Sequence, residues 1–218
     1  MHEIEIIKDH FESKSFKGKR ASLENFLLHL ENYDIVHLAT HAELNPNNPN
    51  YSKILFYPED GKSSLNANDI YDLRLNTDMM VLSACNTGAG EIRKGEGLMS
   101  FARALTFAGC KSLVLTQWTV EDKSSESLMN FFYEYLSYGY SKSKALQLAK
   151  IKYLEQAEPL ESHPFYWAGY IVIGDDSPLI RKHGLNKIKK EIAYVLTAFL
   201  IALIILIIIS SKKKPAKA

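Results

Sequence analysis

The stretch VLSACNTGAGEIRKGEG, residues 81–97, decides how this chain is interpreted. It opens as an apolar run typical of a buried strand, and after Cys85 it becomes rich in Asn, Thr and Gly. Cys85 is one of two cysteines in 218 residues, and it follows the predicted end of the strand. A cysteine in this position is either a small buried hydrophobe or a nucleophile.

Several other apolar runs have the same character as the start of this stretch. Together with the run that leads to Cys85, they cover residues 33–40, 79–84, 111–118 and 166–174. Continuous apolarity is typical of strands that are covered on both faces, as in a parallel sheet. Residues 3–7, EIEII, are also strand-like.

Segments with helical periodicity lie between these runs. Ser22 is a predicted N-cap and Gly109 a predicted C-cap, and a hairpin turn at residues 58–61 precedes a short helix near Asn68. The longer helical segments cover residues 22–30, 98–109, 122–139 and 141–157. The alternation of strands and helices predicts a three-layer α/β domain with a mainly parallel sheet.

The charge is distributed unevenly along the chain. Residues 1–180 hold 17 Lys and Arg against 24 Asp and Glu, a net charge of −7, and the remaining 38 residues carry nine Lys and Arg against one Glu. An acidic domain without a basic stripe predicts no nucleic-acid partner. The two cysteines, 25 residues apart, lack the spacing of a disulfide framework or a zinc site, so we expect no metal or other cofactor and a reducing, cytoplasmic setting for the domain.

The C-terminal part of the chain holds a long apolar segment. Residues 192–209 are 18 consecutive residues without a charge, and lysines flank them on both sides. A helix of roughly 20 apolar residues crosses a bilayer, so we predict one transmembrane helix over residues 191–211, a single-pass tail anchor. Residues 177–190 are then a linker and residues 212–218 a basic tail. A buried core helix is the alternative, and the lysines on both sides leave the orientation open.

His41 occupies the same kind of position as Cys85, just after a predicted buried strand. Catalytic groups gather at the carboxyl ends of parallel strands, and an imidazole there can accept the proton of a thiol. The backbone N–H of Cys85 and one near Ala42 are predicted oxyanion donors. The alternative is that Cys85 fills core and His41 is a structural histidine.

Three strings give this arrangement a resemblance to a known family. They are DIVHLATHAELN (residues 34–45), MMVLSACNTGAGEIRKGEGLMSFARALTFAGCKSLVLTQWTVED (79–122) and HPFYWAGYIVIGD (163–175). Their order and separation closely resemble the CHAT domain, which belongs with the caspase and separase type of cysteine peptidases. The resemblance covers roughly residues 3–176, and it implies a caspase-like fold for a domain over residues 1–176.

The resemblance also implies roles for individual residues. Cys85 becomes the nucleophile and His41 the general base, whereas we interpret His37 as structural and Cys110 as core. Family members of this type often select a basic residue before the cut, which needs an acidic pocket. The candidates for that pocket are Asp122, Glu96 and Glu91. Alternatively, Asp122 is a helix N-cap and Glu96 a structural part of its Gly-Glu-Gly turn.

Two departures from the family pattern bear on function. Ala42 stands where the family has Gly after the catalytic histidine, and the chain begins later than the usual N-terminal strands, near residues 3–7. We therefore expect either a membrane-anchored cysteine endopeptidase acting on protein or peptide substrates, or an inactive interaction module at the membrane. A partner protein could complete the sheet. A serine hydrolase using Ser83 or Ser100 is a third hypothesis, but no Gly-x-Ser-x-Gly string occurs.

Overall fold

The computed structural model describes residues 3–45, 47–59, 61–83, 85–86 and 96–179. Its helices are α1 (Glu3–His10), α2 (Leu23–His29), α3 (Ala67–Ile70), α4 (Glu96–Phe107), α5 (Asp122–Ser137) and α6 (Lys142–Gln156). Its strands are β1 (Ile35–Leu38), β2 (His41–Glu43), β3 (Lys53–Glu59), β4 (Lys62–Asn66), β5 (Met79–Leu82), β6 (Cys85–Asn86), β7 (Ser112–Thr116) and β8 (Tyr170–Gly174).

The four predicted apolar runs form one sheet with the strand order β1-β5-β7-β8. The first three strands are parallel to each other, as predicted. β8 instead runs antiparallel to β7, from Thr116↔Tyr170 to Ser112↔Gly174. The sheet is therefore mainly parallel, as predicted. The direction of β8 could not be predicted, because an apolar run indicates that a strand is buried and not which way it runs.

Helices cover both faces of this sheet. Met80 and Leu82 face a core that includes residues of α3 and α4, whereas Met79 and Val81 face a second core built from α1, α5 and α6. This alternation follows from the period of two along a strand. Because both faces are covered, β5 and β7 are buried at every position, which explains their unbroken apolarity.

A second sheet continues from the first, with the strand order β4-β3-β2-β6. The predicted hairpin is present as β3 and β4, and Gly61 in its turn has φ +86°. His41 and Cys85, predicted to follow the ends of buried strands, begin two further short strands, β2 and β6, that were not predicted. Strands of two or three residues are too short for a hydrophobic pattern to reveal them, which explains the error.

Residues 3–7, predicted as strand-like, form part of helix α1. The alternation of Glu and Ile suggested a period of two, but Ile4, Ile7 and Phe11 have the spacing of one helical face. Ile7 is buried against the core of α5, and the ring of Phe11 packs edge-on against Tyr133. The prediction was wrong because burial under α5, a long-range contact, decided the conformation.

The last described residues are held by the start of α6. Buried Lys142 donates from Nζ to the Ser177 carbonyl at 2.7 Å. The Asp176 carboxylate accepts from the Ser143 N–H at 2.5 Å and from the Ser141 hydroxyl at 3.0 Å. Residues 175–177, which we call the exit segment, are therefore fixed to the first turn of α6.

The predicted transmembrane helix over residues 191–211 lies outside the described residues, together with most of the linker and the basic tail. Within the described part of the chain, every helix is too short or too polar to span a bilayer.

Candidate active site

The backbone brings His41 and Cys85 together. β2 and β6 are parallel neighbours, and His41 pairs in register with Cys85. Their parent strands β1 and β5 are also neighbours, with Leu38 opposite Leu82. Adjacent strands lie about 4.8 Å apart, so one strand spacing separates the two backbones. His41 and Cys85, which follow different strands in the sequence, are therefore neighbours in the fold.

Thr40 fixes the residue that precedes the histidine. Its hydroxyl donates to the Leu55 carbonyl at 2.6 Å, which ties the junction between β1 and β2 to strand β3. His41 itself is exposed to solvent. The histidine is therefore carried on an anchored backbone with its side chain accessible to a substrate.

Ala42 lies inside the second sheet. It is 2% exposed and pairs with Asn86 on one side and with Ile54 on the other. Because this position is extended strand, it does not require the left-handed backbone that favours glycine. Alanine is thus compatible with the fold here, and the role of nearby N–H groups as oxyanion donors stays a prediction.

The predicted acidic residues are placed only in part. Asp122 is exposed and is the first residue of α5, but the N-cap is Glu121 rather than Asp122. The prediction of Asp122 as the N-cap was wrong by one residue, because Glu121 and Asp122 are both acidic and either could cap the helix. Glu96 is the first residue of α4, and Glu91 lies outside the described residues. A common pocket for the three carboxylates therefore stays a prediction.

The other titratable candidates have structural surroundings. His37 Nδ1 lies 2.8 Å from the hydroxyl of Tyr133, in a hydrogen bond between β1 and α5. Cys110 is 2% exposed, and burial raises the pKa of its thiol to about 11. At neutral pH that thiol is protonated and unreactive, which agrees with its interpretation as core.

The two candidate serines are also engaged in the fold. Ser100 is buried and donates to the Pro49 carbonyl at 2.9 Å. Ser83 Oγ lies 3.1 Å from Ser125 Oγ and 3.2 Å from the Tyr170 hydroxyl. These contacts give no support to a serine hydrolase. Across the described residues, no group of three His, Cys, Asp or Glu side chains could hold a metal ion.

Trp118 follows the carboxyl end of β7, which lies at the same end of the main sheet as the carboxyl ends of β1 and β5. Its indole N–H donates to the Phe165 carbonyl at 2.8 Å, and the ring lies against Gly169. A Cβ at Gly169 would approach the indole to 2.9 Å, so this contact requires glycine. No local sequence pattern marks Gly169 for this role, because the contact joins positions 51 residues apart.

The chain is similar to several known proteins. The family model of the CHAT domain matches residues 1–175. Tetratricopeptide repeat protein 28 of Mus musculus is 33% identical over 115 residues, which are 53% of this chain and 5% of that protein. The Homo sapiens protein of the same name is 30% identical over 115 residues, 53% of this chain and 4% of that protein. The chain thus matches about a twentieth of the length of these relatives.

A solved structure has a similar fold. The Arg-specific cysteine proteinase gingipain R aligns with a TM-score of 0.51 at 13% identity, over 82% of this chain and 41% of that chain. At this identity the likeness concerns the fold alone, a mixed α/β domain with a mainly parallel sheet. With a family model that spans residues 1–175 and a fold of this type, the chain belongs to the CHAT domain family.

Proposed function

We propose that the chain is a CHAT-type cysteine endopeptidase in which Cys85 is the nucleophile and His41 the general base. The single observation that carries the proposal is the register pairing of His41 with Cys85 on parallel strands β2 and β6.

The chemistry follows from the two side chains. The imidazole of His41 accepts the proton of the Cys85 thiol, and the thiolate attacks the carbonyl carbon of a peptide bond. The imidazolium then gives that proton to the leaving amine as the C–N bond breaks, which leaves a thioester on Cys85. Water, deprotonated by His41, hydrolyses the thioester and restores the thiol. N–H groups at Cys85 and Ala42 would stabilise the oxyanion.

Labelling of Cys85 by a peptide electrophile tests the dyad. In the full-length protein, we expect a peptidyl acyloxymethyl ketone to modify Cys85 at neutral pH, and His41→Ala to slow this modification by about 100-fold. His37→Asn is the matched control, because it changes a histidine four residues away and keeps a hydrogen-bonding group for Tyr133. Equal labelling rates in the His41→Ala variant and the unsubstituted protein would refute the assignment.

For the substrate, we propose cleavage after a basic residue. Asp122, Glu96 and Glu91 are acidic residues on the segments that follow β6 and β7, and the similar fold of gingipain R belongs to an Arg-specific proteinase. Among peptides that differ at one position, those with Arg or Lys before the cut should be cleaved faster than those with Leu. Asp122→Asn should reduce this preference without abolishing Cys85 labelling.

An inactive interaction module is the second candidate, and one observation favours it. Strand β1 lies at an edge of the main sheet, and all four of its residues are half-buried, whereas every residue of β5 and β7 is buried. A strand from a partner protein could complete this edge. Cys85→Ala leaves β1 unchanged, so an unaltered cellular phenotype in that variant would favour this candidate over the peptidase.

We also propose that residues 191–211 anchor the domain in a membrane as a single-pass helix, with the domain on the cytoplasmic side. The absence of any charge over residues 192–209 supports this proposal.

A further inference from the structure

Three hydroxyl groups, one of them from the residue two before Cys85, lie within hydrogen-bonding distance of one another. Ser83 Oγ lies 3.1 Å from Ser125 Oγ and 3.2 Å from the Tyr170 hydroxyl, and the last two lie 2.5 Å apart. The three residues, which we call the hydroxyl triangle, come from three places in the chain. Ser83 follows β5, Ser125 lies in the first turn of α5, and Tyr170 begins β8.

The hydroxyl triangle is largely buried. Ser125 is 4% exposed and Tyr170 is 1% exposed, and Tyr170 lies in the core shared with α1, α5 and α6. A buried hydroxyl costs free energy unless it is hydrogen-bonded, and an apolar trio would fill the same volume without that requirement. Hydrogen bonds have a preferred length and angle, so the three hydroxyls fix the relative positions of the elements that carry them.

Ser83 connects the hydroxyl triangle to the candidate nucleophile. It lies two residues before Cys85, and its backbone N–H donates to the Leu38 carbonyl at 3.0 Å. Its backbone is therefore held by β1, which leads to His41, while its side chain is held by α5 and β8.

We propose that Ser83, Ser125 and Tyr170 are positioning residues that hold β6 in register with β2, so that Cys85 is presented to His41. The inference rests on the proposed peptidase function, but it concerns how the nucleophile is placed and not which residues react. None of the three hydroxyls takes part in bond making or breaking.

The structure provides a matched control one residue away. Ser124 is buried like Ser125, and its hydroxyl accepts from the Tyr153 hydroxyl at 3.0 Å. Tyr153 is 4% exposed, and its hydroxyl lies 3.3 Å from the Glu161 carbonyl oxygen and makes no contact with Ser83 among the described hydrogen bonds. Ser124→Ala and Tyr153→Phe thus remove the same groups from the same core without touching Ser83.

The experiment measures carbamidomethylation of the two cysteines by iodoacetamide in the full-length protein, resolved by mass spectrometry, between pH 5.5 and 9. At about pH 6.5 an ordinary thiol with a pKa of about 8.5 is roughly 1% thiolate, so rapid labelling of Cys85 reports its activation. Buried Cys110 is the internal reference, because it is labelled only when the domain opens.

We expect Ser125→Ala and Tyr170→Phe to slow Cys85 labelling at pH 6.5 by about tenfold or more, and to move the midpoint of its pH profile upward. Ser124→Ala and Tyr153→Phe should leave both quantities unchanged, with Cys110 protected throughout. Ser83→Thr, which keeps a hydroxyl at a half-buried site, should label faster than Ser83→Ala. With a peptide substrate, kcat should fall while KM stays the same.

The outcomes separate this inference from the proposed function. If the hydroxyl-triangle variants label Cys85 at the same rate as the Ser124 and Tyr153 variants, the positioning role is wrong, whatever His41→Ala does. The role is also wrong if slower Cys85 labelling appears only together with exposure of Cys110. If His41→Ala has no effect but the hydroxyl-triangle variants do, the dyad fails while the hydroxyls still control the reactivity of Cys85.

Discussion

Gly109 joins helix α4 to strand β7 at a point that has no room for a side chain. Its φ is +111°, and a Cβ there would lie 2.2 Å from the Leu75 carbonyl oxygen. The close approach is maintained by the Leu75 N–H, which donates to the Ala108 carbonyl at 2.6 Å. Gly139, after α5, has a similar φ of +87° but nothing within 4 Å of an added Cβ.

This difference predicts unequal effects of the same substitution. Gly139→Ala should lower the free energy of unfolding by about 1 kcal/mol, because only the left-handed backbone is strained. Gly109→Ala adds a backbone clash and should lower it by about 3 kcal/mol or more. Urea denaturation of the two variants measures both values, and equal losses would contradict the clash.

Two threonine hydroxyls have opposite surroundings. Thr40 donates to the Leu55 carbonyl, whereas the Thr77 hydroxyl is completely buried and has no hydrogen-bond partner among the described residues. We expect Thr77→Val to raise the free energy of unfolding by about 1 kcal/mol, since it removes a buried hydroxyl of nearly the same shape. Thr40→Val should lower it by about 1 kcal/mol. Thermal unfolding of the two variants is the measurement. Changes of the same sign in the two unfolding temperatures would contradict the different roles of the two hydroxyls.

At the scale of elements, α5 and α6 are joined by an ion pair. Lys152 Nζ lies 2.7 Å from Glu134 Oε2, with each side chain about one quarter exposed. The hydrogen bond from Lys152 lowers the pKa of Glu134 below its ordinary value of 4.5, and the same bond raises the pKa of Lys152 above 10.5. The pair therefore contributes its full stabilisation between pH 4.5 and pH 10.5, where both groups are charged in the folded and the unfolded chain.

The sign of this linkage gives a pH prediction. Because the pKa of Glu134 is lower in the folded state, its contribution is complete above about pH 4.5 and is lost as the pH falls through the folded value. Glu134→Gln should cost about 0.5 to 1 kcal/mol at pH 7, and this difference should shrink as the pH falls below 4.5. Glu155→Gln, at an exposed position on the same helix pair, is the control. A loss that is the same at pH 7 and pH 3 would rule out the charge as its cause.

Sequence patterns identified the elements whose burial is continuous and missed those whose structure depends on distant contacts. The runs that became β1, β5, β7 and β8 were predicted because a strand covered on both faces must be apolar. α1 was predicted as a strand because its burial under α5 is invisible in the order of Glu and Ile. β6 was missed because two residues carry no periodicity.

The candidate site was predictable to the same extent. His41 and Cys85 could be found because each follows a recognisable buried strand, and parallel strands bring their carboxyl ends together. Ser125 and Tyr170 could not, because their contact with Ser83 joins positions that are 42 and 87 residues away along the chain. Local periodicity does not determine which side chains meet across such distances.

At the scale of the whole molecule, the apolar segment predicts membrane association. Leu200→Arg together with Leu203→Arg should release the full-length protein from the membrane pellet after alkaline carbonate extraction, since each central arginine costs about 3 kcal/mol in a bilayer. Lys213→Arg is the control, because it leaves the apolar residues unchanged. Retention of the double variant in the pellet would contradict a transmembrane helix.

The exit segment has a mechanical consequence. Force applied through the chain beyond Leu179 enters the domain at residues 175–177, where Lys142 and the first turn of α6 bear it before it reaches β8. The bonds at this point are a buried lysine to a carbonyl and a carboxylate to a helix N-terminus, both of which must break before β8 can be pulled from β7. Tyr170 is the first residue of β8. A force too weak to break these bonds would therefore leave the hydroxyl triangle intact. A stronger force would act directly on β8, the edge strand that contributes Tyr170 to the hydroxyl triangle.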